Sequence, residues 1–135
     1  MNDRHFILSM HILTLMAKNS DEWLSSEFIS GSINVNPVLV RKELSNLSKH
    51  GFIQTKEGKN GGSRLNKPAE KIMLSEVYAS VYNQTLLGKL LADPNPKCCV
   101  GKKINENINE LSSSIEEVVL KQLHTQSLME FSEKF

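Results

Sequence analysis

The strongest constraint on this chain lies between Asn34 and Asn66, where a capped amphipathic segment runs without a linker into a short hairpin. Asn36 has the side chain of a helix N-cap, and Pro37 fits the first helical position, where a missing N–H costs no hydrogen bond. Val40, Leu44 and Leu47 then recur on one face, and Gly51 supplies the stop. At 100° per residue the opposite face carries Val38, Lys42, Ser45 and Lys49, flanked by Arg41 and Ser48. Residues 52–56 alternate in polarity and residues 63–66 form the return run. Between them, Gly58, Gly61 and Gly62 permit the positive φ that a tight reversal needs. A capped helix followed at once by a small hairpin predicts a winged helix-turn-helix.

Charge is concentrated in the same stretch. From Pro37 to Lys67 there are seven Lys/Arg against two Glu, an excess of 7 − 2 = +5, while the whole 135-residue chain is only +1. Residues 1–68 carry nine basic and six acidic side chains, and residues 69–135 carry seven and nine. A basic half joined to an acidic half points to a polyanionic partner for the first.

Around this centre the pattern predicts further helices. Asn2 or Asp3 can cap a first helix to about Lys18, with Phe6, Met10, Leu13 and Ala17 at helical spacing. Ser25 is the N-cap expected for a shorter second helix to about Ser32, with Trp23 anchoring its start. Leu74 to Val81 reads as a fourth helix. Leu86-Leu87 and Leu90-Leu91 suggest a short buried turn before the two-proline loop 93–97. Ile104, Ile108, Leu111, Ile115 and Val118 then recur at spacings of four, three, four and three, a narrow seam suited to pairing with another helix. That partner is either a second subunit or another part of the same one. Residues 127–135 supply a final short helix with Leu128, Phe131 and Phe135.

The remaining features exclude more than they suggest. No apolar run is long enough to span a bilayer, and the N-terminus does not read as a signal peptide, so a cytoplasmic protein without membrane association is expected. Cys98 and Cys99 are adjacent and cannot staple distant segments. His5, His11, His50 and His124 have no metal-ligand spacing. Neither a nucleophile–base pair nor a nucleotide-binding loop stands out, so no enzymatic activity, metal or cofactor is expected.

With these residues in place, the chain resembles the Rrf2 family of winged-helix transcription regulators (IscR/NsrR/CymR-like). The matching residues are 36–42, then 47–51, then Gly58, Gly61, Gly62, Arg64 and Leu65, followed by Lys67-Pro68 and by Ile72, Leu74, Glu76 and Val77. These cover about half the chain, in order and at family spacing. The resemblance implies a homodimer that binds double-stranded operator DNA at two half-sites, most often as a repressor. The long helix after the cysteines would then be the dimerisation helix. Cluster-binding relatives present three cysteines before that helix, whereas this chain has two, and an iron–sulfur cluster needs four ligands, mostly thiolates. The run Cys98-Cys99-Val100-Gly101 is closer to the branch without a cluster, some of whose members sense oxidants through thiols.

The expected architecture is therefore mainly α with a small β-wing: a winged helix-turn-helix over residues 1–82 and, over 83–135, the cysteine loop, a long dimerisation helix and a C-terminal helix. Candidate DNA contacts are Asn36, Val38, Arg41, Lys42, Ser45 and Lys49 on the helix, with Lys59, Asn60 and Arg64 on the wing. Arg41 is the base-edge candidate because a guanidinium grips guanine bidentately, although Glu43 or Glu27 could pair with it instead. Arg64 could equally buttress the wing. Cys98 and Cys99 are redox candidates, and a small-molecule or oxidant signal is left open. The competing reading is a winged-helix protein–protein interaction module without an operator of its own. It needs no basic recognition face, and the +5 stretch favours DNA.

Overall fold

The computed structural model describes residues 4–82 and 86–135. Its first helix, α1 (His5–Lys18), begins after Arg4 and has no side-chain cap. The caps expected from Asn2 or Asp3 lie outside the described residues. Met10 and Leu13 are buried as the spacing predicts, while Phe6 and Ala17 sit at the edge of the core. Leu8, Ser9, Ile12, Thr14 and Met16 are buried as well. Burial extends beyond one stripe because α1 is the central element, packed by neighbours on several sides.

The next two helices follow the sequence closely. Ser25 Oγ accepts the Phe28 N–H at 3.1 Å and opens α2 (Ser26–Ile33). Asn34 ends α2 in the left-handed region at φ 63°, a conformation asparagine tolerates better than most residues. Asn36 Oδ1 then accepts the Val38 N–H at 2.8 Å and opens α3 (Pro37–Lys49), with Pro37 in its first turn. Gly51, at φ +79°, turns the chain into β1 (Ile53–Lys56). This strand pairs antiparallel with β2 (Gly62–Leu65), Ile53 opposite Leu65 and Thr55 opposite Ser63. On the other edge of β2, Leu24 exchanges two backbone hydrogen bonds with Ser63, at 2.9 and 2.8 Å, so the wing has a one-residue third strand. A Cβ on Gly62 would lie 2.5 Å from the Leu24 carbonyl oxygen, and φ there is +150°, so this crossing requires glycine.

Beyond the wing, α4 (Leu74–Val81) starts where Glu76 accepts the Met73 N–H at 3.0 Å. That amide, helped by Lys67 at 3.3 Å and opposed by partial burial, holds the Glu76 carboxyl below its ordinary value. The long helix α5 (Cys99–Leu123) follows and packs against α4. A final helix, α6 (Leu128–Ser132), is capped by Ser127, whose hydroxyl accepts the Glu130 N–H at 3.1 Å. Backbone bonds from Leu74 N to Gln126 O (3.0 Å) and Leu128 N to Ile72 O (2.7 Å) stitch this segment to the start of α4. Leu128 is fully buried, so α6 shares its core with α1 rather than forming one apart.

Two details depart from the sequence pattern. Leu87 and Leu91 are exposed and Leu86 and Leu90 only half-buried, so the expected buried turn is a surface segment. It is held by Asn105 of α5, whose side chain bonds both the Leu91 N–H (3.2 Å) and its carbonyl (2.7 Å). The second is Glu43, a charged residue on the inner face of α3 beside Val40 and Leu47, only 3% exposed. Its carboxylate accepts the Ser9 hydroxyl at 3.1 Å and meets His5 Nδ1, so it ties α3 to α1 and is not a partner for Arg41. Glu43→Ala would leave the buried Ser9 hydroxyl without its acceptor. It should lower the unfolding free energy by about 1–3 kcal/mol, measured by urea denaturation.

Candidate nucleic-acid interface

With Val40, Glu43 and Leu47 buried against the core, α3 has one orientation and its polar face looks outward. Arg41, Ser45 and Lys49 fall at intervals of four and line a single groove of about 670 Å³ between α3 and the wing. The opposite wall comes from Thr55 and Ser63, whose hydroxyls lie 3.2 Å apart across the β1–β2 pair, and from the backbone at Gly62. Ser26, in the first turn of α2, and Ser48 bring further hydroxyls to the same groove. Among the described residues the close ion pairs are His5–Glu43 and Lys67–Glu76, so the charges of Arg41 and Lys49 are uncompensated. Hydroxyl donors and two free cations in a groove beside a helix of open polar face form a surface suited to phosphates and base edges.

The other candidates divide. Val38 (59% exposed) and Lys42 lie on the outward surface of α3, outside the groove lining. The Asn36 side chain is occupied in capping the helix. Lys59 and Asn60 are exposed at the wing tip. Arg64 is the exception, for its guanidinium carbon lies 4.2 Å from the centre of the Trp23 ring. Trp23 packs against the wing, with Lys56 Nζ also 5.7 Å from its ring. Thr55 had a legible signal, since alternation from the buried Ile53 puts it on the inner face of its strand. Glu43 and Trp23 had none, because their partners are 33 residues or more away in sequence.

The cysteines sit at the start of α5, Cys98 as its N-cap and Cys99 as its first residue, both exposed and free. The amide groups of Gly101 and then Val100, in the open first turn, favour the thiolate and hold the Cys98 thiol below its ordinary value. The helix end supplies this effect, with slight burial opposing it. Along α5 the expected seam is largely uncovered. Leu111 is 51% and Val118 67% exposed, Ile115 is also exposed, and Ile104 and Ile108 are half-buried. Val100, one turn before Ile104, extends the same apolar stripe. No helix among the described residues is long and apolar enough to cross a membrane.

A winged helix with an open basic recognition face defines a DNA-binding transcription regulator rather than an enzyme. The chain belongs to the Rrf2 family, described as iron-dependent transcriptional regulators, which it matches over residues 3–134. It is 40% identical over 121 residues to YwnA of Bacillus subtilis (strain 168), a candidate HTH-type transcriptional regulator, covering 90% of this chain and 89% of that protein. The crystal structure of a candidate DNA-binding protein superposes with a TM-score of 0.74 at 34% identity, covering 94% of this chain and 97% of the other. CymR, the global cysteine regulator of B. subtilis, has the same fold, with a TM-score of 0.73 at 18% identity over 100% of this chain and 98% of that one.

The family's description names iron, and an iron–sulfur cluster is held mostly by thiolates. The chain has two thiols, adjacent and pointing from neighbouring positions at a helix start. Among the described residues, no group of three or more His, Cys, Asp or Glu side chains could hold a metal ion. Two thiols are fewer than the four ligands, mostly thiolates, that an iron–sulfur cluster takes.

Proposed function

We propose that the protein is a cytoplasmic homodimer that binds a two-part operator and represses transcription, and that it belongs to the branch of its family without an iron–sulfur cluster. In this reading residues 1–82 read the DNA and residues 83–135 hold two copies together. The observation that carries it is the pairing of one basic groove per chain with an apolar stripe left largely bare among the described residues. A single helix-and-wing unit spans one half-site, and two of them need a fixed spacing to read an operator. Burying Leu111, Ile115 and Val118 against the same residues of a second copy removes the stripe from water, worth about 1.5–3 kcal/mol for each side chain fully buried. The groove's uncompensated cations favour DNA over a protein partner.

On this reading α3 enters a major groove, with Arg41 at a base edge and Lys49 and Lys42 near phosphates, while Lys59 and Asn60 reach a neighbouring minor groove. The operator can be recovered by selection from a random duplex library. Against that duplex, Arg41→Ala should cost about 1–3 kcal/mol and relax specificity at one position. Lys59→Ala should weaken all sequences alike and reduce the salt slope by about one. Binding that is insensitive to salt and to both changes would sink the reading.

Assembly has its own test. Leu111→Glu places a charge in the seam, and sedimentation should show monomer or aggregate with operator affinity lost. An intact dimer would mean that the stripe packs in some other way.

Cys98 supports a thiol signal, being exposed, at the base of α5 and biased towards thiolate. Attack of the thiolate on hydrogen peroxide gives a sulfenic acid and hydroxide, the sulfur oxidised by two electrons and the peroxide bond reduced. A polar adduct at the root of the dimer helix would tilt one winged unit against the other. Wild type should release DNA on peroxide titration while Cys98→Ser holds it. Release of both at the same dose removes Cys98 as the sensor.

A further inference from the structure

The wing is supported differently on its two faces. Strand alternation puts Ile53, Thr55, Ser63 and Leu65 on the inner face, towards the core and α3, and Gln54, Lys56 and Arg64 on the outer face. The inner face is held by burial of Ile53 and by the Thr55–Ser63 hydroxyl contact. On the outer face the feature in contact with both cations is the half-buried Trp23, 4.2 Å from the Arg64 guanidinium carbon and 5.7 Å from Lys56 Nζ. Trp23 is held to the body of the protein because the next residue, Leu24, is buried in the core, and the same Leu24 carries the wing through its two bonds to Ser63. The indole is therefore a fixed plate onto which two cations from the two strands are drawn. Arg64 is paired with Gln54 on β1, and Lys56 is paired with Gly62 where the strands leave for the tip.

We propose that Trp23 is the positioning residue of the wing: by holding Arg64 and Lys56 on its face it sets the wing's angle to the recognition helix. That angle fixes the distance between the tip, Lys59 and Asn60, and the groove cations Arg41 and Lys49. Trp23 itself touches no DNA in this scheme. Arg64 acts through the indole, its guanidinium face stacked rather than presented to a base. A wing released from the plate would still hang from the Leu24–Ser63 bonds, so the fold survives. Its tip would sample many positions, and the phosphate contact made there would be lost on average.

The test uses full-length protein and the duplex recovered by selection. Trp23→Leu removes the π face while keeping an apolar side chain, and Trp23→Phe keeps a ring. Trp23→Leu should weaken binding roughly tenfold and reduce the salt slope by about one, while Trp23→Phe restores most of both. The decisive measurement is additivity with the tip. If Trp23 works by placing Lys59, then Trp23→Leu combined with Lys59→Ala should bind no worse than the weaker single variant. Additive losses would overturn the proposal, because they would mean that Trp23 contributes independently of the tip. So would a Trp23→Leu protein with wild-type affinity and salt slope. Should Trp23→Leu fail to fold, Arg64→Ala leaves the core and the Leu24 bonds untouched and must show the same loss and the same non-additivity with Lys59→Ala. A fully additive Arg64→Ala also overturns it. Loss of binding in Arg41→Ala with the wing variants normal would leave DNA recognition standing and only this proposal refuted.

Discussion

Everything outward-facing on this protein depends on the seating of α3 upon α1. Val40 and Leu47 are completely buried, and between them Glu43 reaches Ser9 and His5 on the central helix. Two apolar contacts alone would permit the helix to roll by some degrees. A buried carboxylate that must keep its partners does not, because an unsatisfied charge in that place is costly. Fixing the roll of α3 fixes which side chains look outward, so Arg41, Ser45 and Lys49 are aimed by a residue on the far side of the same helix.

The wing is aimed by its neighbours as well. Two short strands joined by a hairpin are marginal in water. Here they gain a third partner from the Leu24–Ser63 bonds, a crossing that Gly62 makes possible by having no Cβ. The wing is therefore anchored to the turn before α2, and α2 is anchored to α3 by packing. Helix, turn and wing form one closed circuit of contacts, and a groove of defined width lies between its two arms.

The second half of the chain follows a different logic. Its long helix, about 37 Å by its 25 residues, is held to the body by α4 and by the segment around Gln126 and Leu128, and it leaves one apolar side bare. A stripe of this kind on an otherwise polar helix raises the free energy of a lone chain in water. The same helix carries Cys98 at its exposed start, where unsatisfied amides favour negative charge. Any chemistry at that sulfur therefore acts at the root of the element that carries the bare stripe.

Much of this was legible in the sequence because it is local. Ser25 and Asn36 cap their helices with their own side chains, Gly51 and Gly62 take backbone angles open to few other residues, and the apolar spacing of α3, α4 and α5 follows from helical geometry. The charge excess around the recognition helix needed only counting. What the tertiary structure decided is non-local. It put Glu43 inside beside residues 34 and 38 positions earlier, it drew Arg64 onto Trp23, and it left Leu87 and Leu91 outside where their apolarity suggested burial. None of these pairings has a periodicity to betray it. Each depends on which surfaces meet once the chain is folded, and a linear pattern specifies the faces of an element without naming the partner that covers them.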